Sequence, residues 1–214
     1  MKYLYFLIIL GLTGCASNVV VKGSLPAPLV VAAPVNVGVY YSPDFKKFEY
    51  HEVIRQHGSY TIAFGEQNYV FFRVLMSAMF KSVRPVGEPP LPAGQSAGLD
   101  GVIVPQIVKY GFLTPSISGL NFYSASITYR ITLYTPAGQK IQEWTFVGYG
   151  KSQGGGLNAS EKALEDATLQ AIRDGGARIA IDIPKDPVFV AWVKQVGQKD
   201  AKPAVDPLQE RGKQ

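Results

Sequence analysis

An α+β fold, with a mainly antiparallel sheet and two helices packed on one face of it, is what this 214-residue chain predicts. Three observations carry that expectation. Residues 123–134 alternate apolar and polar side chains throughout, the period of a strand with one buried face. Residues 66–83 and 158–183 instead space their apolar side chains at three and four, as helices with one buried stripe do. Pro136, Ala137 and Gly138 then turn the alternating strand into a second apolar run, which reads as its hairpin partner.

The first fifteen residues stand apart from that pattern. Lys2 supplies a positive start, and residues 3–12 form an apolar run shorter than the roughly 20 residues a spanning helix needs. Leu12-Thr13-Gly14-Cys15 follows, and Cys15 is the only cysteine. This string closely resembles the lipobox of bacterial lipoprotein signal peptides. The resemblance implies a signal peptide over residues 1–14, cut between Gly14 and Cys15, with diacylglycerol joined to the Cys15 sulfur. Membrane lipids are then a partner, through acylated Cys15. Ala16 follows the cysteine in place of the aspartate associated with inner-membrane retention, which implies the outer membrane, facing the periplasm. The competing reading is a bare thiol, but an unpaired cysteine in an exported chain is an oxidation hazard. Two or three acyl chains, at about 0.8 kcal/mol per buried methylene, suffice for stable anchoring. No later segment approaches 18 uninterrupted apolar residues.

Residues 15–34 read as the lipidated cysteine and an extended linker, because Pro26, Pro28 and Pro34 oppose helix. A single domain is expected over residues 35–196. Val35, Val37 and Val39 share one face of a first strand, and Ser42-Pro43-Asp44 breaks it. Residues 45–57 mix aromatics and charges without a period, as an irregular excursion or an edge strand would. Residues 60–64 suit a short strand. Phe72, Leu75, Met76, Met79, Phe80 and Val83 give the first helix its stripe, and Pro85 ends it. The proline-rich stretch 87–98 is a loop, and residues 101–110 are a strand. In the return strand after residue 140 the phase slips between Ile141 and Trp144, which suggests a bulge. Asn158 and Glu161 make a capping-box-like start for the second helix. Ala167, Ala171, Gly175 and Gly176 let that helix lie close on the sheet. Pro184 and Pro187 stop it. Residues 188–193 make a last apolar segment, and the charged stretch 197–214 is expected to be a disordered tail.

The formal charge of +5 fits a solvated surface better than a polyanion site, and no basic-aromatic motif suggests nucleic acid. His51 and His57 are the only histidines. They lie six apart, on opposite sides of a helix or about 20 Å apart on a strand, so two surface histidines are favoured over a metal site. Gly154-Gly155-Gly156 precedes a helix but lacks the lysine-hydroxyl pair of a phosphate loop, so a hinge is favoured. With Cys15 acylated, no thiol nucleophile is left. No catalytic residue, metal or cofactor is expected from these patterns.

One connection is unusual. Residues 111–122 are turn-rich yet carry Phe112, Leu113, Ile117, Leu120 and Phe122. Such a segment either contacts a partner or lipid, or folds back to cap one end of the sheet. The whole layout also resembles small accessory lipoproteins of the bacterial envelope: the LPS-assembly lipoprotein, auxiliary lipoproteins of ABC-type transport systems, and the periplasmic part of the curli secretion lipoprotein. The resemblance rests on the lipobox, the strand-helix-strands-helix order over residues 35–183, the hairpin ending near residues 144–150 and the alanine-rich closing helix. It implies a non-catalytic accessory role with an envelope protein partner, in assembly, transport or secretion. The alternative is an anchored enzyme acting on cell-wall or lipid substrates.

Overall fold

The structure is a computed structural model that describes residues 16–154 and 159–200. The signal segment with Gly14 and Cys15, the hinge residues Gly155 and Gly156, the Asn158 cap and the tail from residue 201 lie outside the described residues. In chain order the elements are β1 (Ala16–Val20), β2 (Ala33–Val39), α1 (Pro43–Lys46), β3 (Glu49–Ile54), β4 (Gly58–Ala63), α2 (Gly65–Met79) and β5 (Phe80–Pro85). They continue with α3 (Ala93–Ser96), β6 (Gly101–Leu113), α4 (Pro115–Ser118), β7 (Tyr123–Tyr134), β8 (Lys140–Ser152), α5 (Ala159–Asp182) and α6 (Pro187–Asp200).

The class is α+β, but the sheets are mixed rather than mainly antiparallel. A five-stranded sheet has the order β5-β2-β6-β7-β8, and a three-stranded sheet the order β1-β4-β3. β2 runs parallel to both β5 and β6, and β1 parallel to β4. Antiparallel pairing joins β3 to β4, β6 to β7 and β7 to β8. Each parallel pair is joined by a long crossover rather than a tight turn: α2 lies within the connection from β2 to β5, and the segment carrying β2 and β3 within that from β1 to β4.

Ala125, Ile127, Tyr129, Ile131 and Leu133 are buried along one face of β7, as their alternation predicts. Each large side chain in this row contributes roughly 1.5–3 kcal/mol by leaving water. All three long helices lie on that face. Phe72 of α2 meets the Tyr129 ring at 5.1 Å. Gly175 of α5 also faces Tyr129, and Trp192 of α6 sits beside Gly101 and Leu133. Three long helices and three short ones therefore stand, among the described residues, where two were expected.

α5 approaches the sheet backbone to backbone. A Cβ built on Gly148 would overlap the Ala171 carbonyl oxygen, and one on Gly150 would overlap that of Ala167. Only glycine lets strand and helix backbones meet here. The expected bulge is present: Leu133 pairs with Gln142 and Tyr134 with Lys140, leaving Ile141 as the extra residue.

Several boundaries differ from the sequence reading, and β6 runs on to Leu113 rather than ending at Tyr110. The extended linker is in part a strand: Ala16 through Val20 pair in register with Ser59 through Ala63, and Val19 and Val21 are buried. The first helix stops at Met79, and Phe80 to Pro85 form β5. Pro85 is tolerated because β5 is an edge strand, with no neighbour on its outer side among the described residues. Pro187 begins a helix instead of ending one. Asp186 caps it, its Oδ1 accepting from the N–H groups of Val188 at 2.9 Å and Phe189 at 3.0 Å. Residues 197–200, expected in a disordered tail, are the end of that helix.

Candidate functional site

One end of the molecule gathers the first residues of β1, the β3–β4 turn, the β6–β7 connection and the start of α5. Ser17, Val19, His57, Thr114, Ser116 and Glu161 line a cleft of about 360 Å³ there, with Tyr60 and Tyr123 behind them. The β1 strand therefore starts beside the apolar connection singled out in the sequence.

The connection is an ordered knob. Pro115 opens the single turn of α4 at a position where its missing N–H costs nothing. Thr114 is buried, and its Oγ1 lies 2.8 Å from Ser116 Oγ. Ser118 Oγ donates to the Thr114 carbonyl at 2.9 Å and accepts from the Leu120 N–H at 3.2 Å. Gly119 closes the turn at φ 71°, a left-handed conformation that glycine adopts without strain.

The five apolar side chains of this stretch divide between core and surface. Phe112 is the last inward residue of β6 and is buried, its ring 4.8 Å from that of Tyr60 and 6.2 Å from that of Tyr50. Ile117 packs against the core. Leu113 and Leu120 are 41% and 50% exposed. Phe122 is half-buried, with Lys151 Nζ 4.0 Å from its ring centroid. Strand alternation alone sends Phe112 and Leu113 to opposite faces.

Two further exposed groups escaped the sequence reading. Val53 on β3 is 83% exposed and sits in the row Val53, Ser59, Ala16 at this same end. On the outer face of the large sheet, Val147 and Tyr149 are about half exposed, across from Thr128 and Ser126. Their signal was the run Phe146-Val147-Gly148-Tyr149, in which Phe146 and Gly148 take the buried positions and leave the other two outside.

The histidines are not brought into a ligand set. His51 lies mid-strand in β3, 3.1 Å from Thr61 Oγ1 and 3.5 Å from Glu49. His57 lies in the turn that follows, and its side chain makes no hydrogen bond among the described residues. Buried phenols belong to the packing. Burial pushes Tyr129 well above its ordinary pKa, and its hydroxyl donates to Asn68 Oδ1 at 2.7 Å. Burial likewise raises Tyr110, whose hydroxyl lies 2.8 Å from Thr168 Oγ1. Both stay protonated at neutral pH. No helix of the described residues is long and apolar enough to cross a membrane.

No family model matches this chain, and no curated protein does. Solved structures do. A Xanthomonas campestris protein of the DUF330 family is 13% identical, with 88% of this chain and 99% of that one covered at a TM-score of 0.47. A provisional neuraminyllactose-binding hemagglutinin homolog from Helicobacter pylori is 11% identical, with 85% and 100% covered at 0.49. A minor lipoprotein from Acinetobacter baumannii is 12% identical, with 81% and 99% covered at 0.36. At such identities and scores these likenesses assign no residue and no role to this chain.

Proposed function

We propose that this protein is a lipid-anchored envelope lipoprotein, held by acylated Cys15 on the periplasmic side of the outer membrane, and that it serves as a non-catalytic accessory component in envelope assembly, transport or secretion. The observation that carries the reading is the junction of motif and fold. Leu12-Thr13-Gly14-Cys15 ends one residue before β1, and β1 is locked into the small sheet by five paired residues. An acyl anchor on Cys15 would thus hold the folded body itself. The outer face of the large sheet, where Val147 and Tyr149 stand among Ser and Thr side chains, is the surface this reading gives to a protein partner.

Cys15→Ala tests the anchor, because the sulfur is the acyl acceptor. The expected result is an uncleaved precursor that takes up no palmitate analogue. Normal labelling of that variant would overturn the assignment. Val147→Asp with Tyr149→Asp tests the partner face: an unchanged melting curve with a lost membrane complex supports it, and an intact complex removes it.

A further inference from the structure

Resting on that anchored reading, we infer that the end of the molecule formed by Ala16, the β3–β4 turn and the β6–β7 connection is seated directly on the bilayer, with Leu113 and Leu120 dipping into the lipid interface. The argument begins with chain length. One residue spans at most about 3.6 Å, and Ala16 is already paired with Ser59. Acyl chains on Cys15 would therefore place the lipid surface within a few ångströms of the edge of the small sheet. No slack remains for the body to stand away.

What faces the lipid is then fixed by the fold. Ser17 and Val19 share one cleft with Thr114, Pro115 and Ser116, so the knob lies next to the anchor point. That knob exposes Leu113 and Leu120, and Val53 adds a third exposed aliphatic side chain across the small sheet. Arg55 and Lys151 are exposed at the same end, with Lys151 over Phe122. Glu161 is the acidic member of the cleft. Aliphatic tips with flanking long cations suit an interface of acyl chains below and phosphate headgroups around, because the cationic heads reach the phosphates while their stems stay apolar. The hydroxyl bonds of Thr114, Ser116 and Ser118 hold the knob in shape before contact, so little ordering entropy opposes its insertion.

The seat can be read in the mature, full-length lipidated protein. The Cys15 sulfur is consumed by the thioether, so an introduced cysteine is the single free thiol. Leu120→Cys and, at the far hairpin, Ala137→Cys are each coupled to a polarity-sensitive fluorophore. The proteins are reconstituted in vesicles of phosphatidylethanolamine and phosphatidylglycerol with or without brominated acyl chains. The seated geometry gives a blue-shifted emission quenched by bromine at position 120, and water-like, unquenched emission at 137. Palmitate labelling is scored in the same samples. Labelled protein with a water-like signal at 120 overturns the seat and leaves the anchor standing. Absence of labelling overturns both. A probe at 120 that is shielded in native membranes but wet on pure vesicles overturns the lipid as occupant and gives the knob to a protein.

Discussion

The seam between β8 and α5 and the knob between β6 and β7 invert the usual relation of hydrophobicity to burial. At the seam the buried positions are glycine and alanine: Gly148, Gly150, Ala167 and Ala171 bring two backbones into contact. At the knob, leucines stand in the open while hydroxyl groups hold the backbone. The seam uses absence of side chain to gain backbone proximity, and its sequence cannot vary without moving an entire helix. The knob keeps Leu113 and Leu120 off the core although Phe112, one residue before Leu113, is inside it. Burial in this protein follows geometry, and the apolar groups left outside mark where contact with something else is expected.

The largest expected effect splits two neighbours. Phe112→Ser should destabilise the fold by about 3–5 kcal/mol, because it empties a site enclosed by Tyr50, Tyr60 and Tyr110. Leu113→Ser should fall within about 0.5 kcal/mol of the parent, as exposed substitutions do. Chemical denaturation of both variants decides it. Equal losses would mean the knob is part of the core, and the contrast drawn above would collapse.

Gly150→Ala should follow in size. A single methyl here meets the Ala167 carbonyl, which belongs to helix backbone and cannot rotate away, so a cost at or above the usual 1–3 kcal/mol of overpacking is expected. The same change at Gly94, which has open space around it, should be nearly silent. A melting temperature unchanged in Gly150→Ala would show that α5 lies farther from β8 than the geometry states.

What the sequence disclosed and what it hid follow the same physics. The period of two in β7 and the small-residue stripe of α5 are local signals and appear where expected, and the slip read between Ile141 and Trp144 falls at its near end, where Ile141 is the extra residue. The parallel pairings of β1 and β5 are not local. β1 shows only one buried residue within its five, Val19, so its alternation has nothing to register against. β5 begins with Phe80 and Val83, which continue the α2 spacing, and only the sheet reveals that the chain has straightened. The five-residue contact set was legible as a place but not as an arrangement: Phe112 and Ile117 point home, and Leu113 and Leu120 point away. Alternation along β6 separates Phe112 from Leu113, but no periodicity could separate Ile117 from Leu120 across a turn whose shape depends on Gly119.

The smallest effect concerns Pro187, read from sequence as a stop and found as the first residue of α6. Asp186 is what turns it into a start. Desolvation works against its carboxylate, but the Phe189 N–H, the nearby Trp144 side chain, the Val188 N–H and the Gln142 side chain together outweigh that and hold its pKa below the ordinary value. The sign follows: a carboxyl with a lowered folded pKa contributes stability at pH values above its unfolded pKa of roughly 3.9, and loses it as pH falls through the lowered folded value. Asp186→Ala should therefore cost about 1 kcal/mol at neutral pH, the usual worth of an N-cap, or a shift of some 2–4 °C in a chain of this size. The gap between variant and parent should narrow as the buffer is taken to about pH 3 and below. Asp186→Asn should keep much of the cap while losing the pH dependence, since asparagine accepts the same bonds without a charge. Melting curves of the three proteins across that range test the assignment. A gap that stays constant with pH would mean the carboxylate does not hold the helix start, and that Pro187 and the packing of Phe189 and Trp192 carry α6 alone.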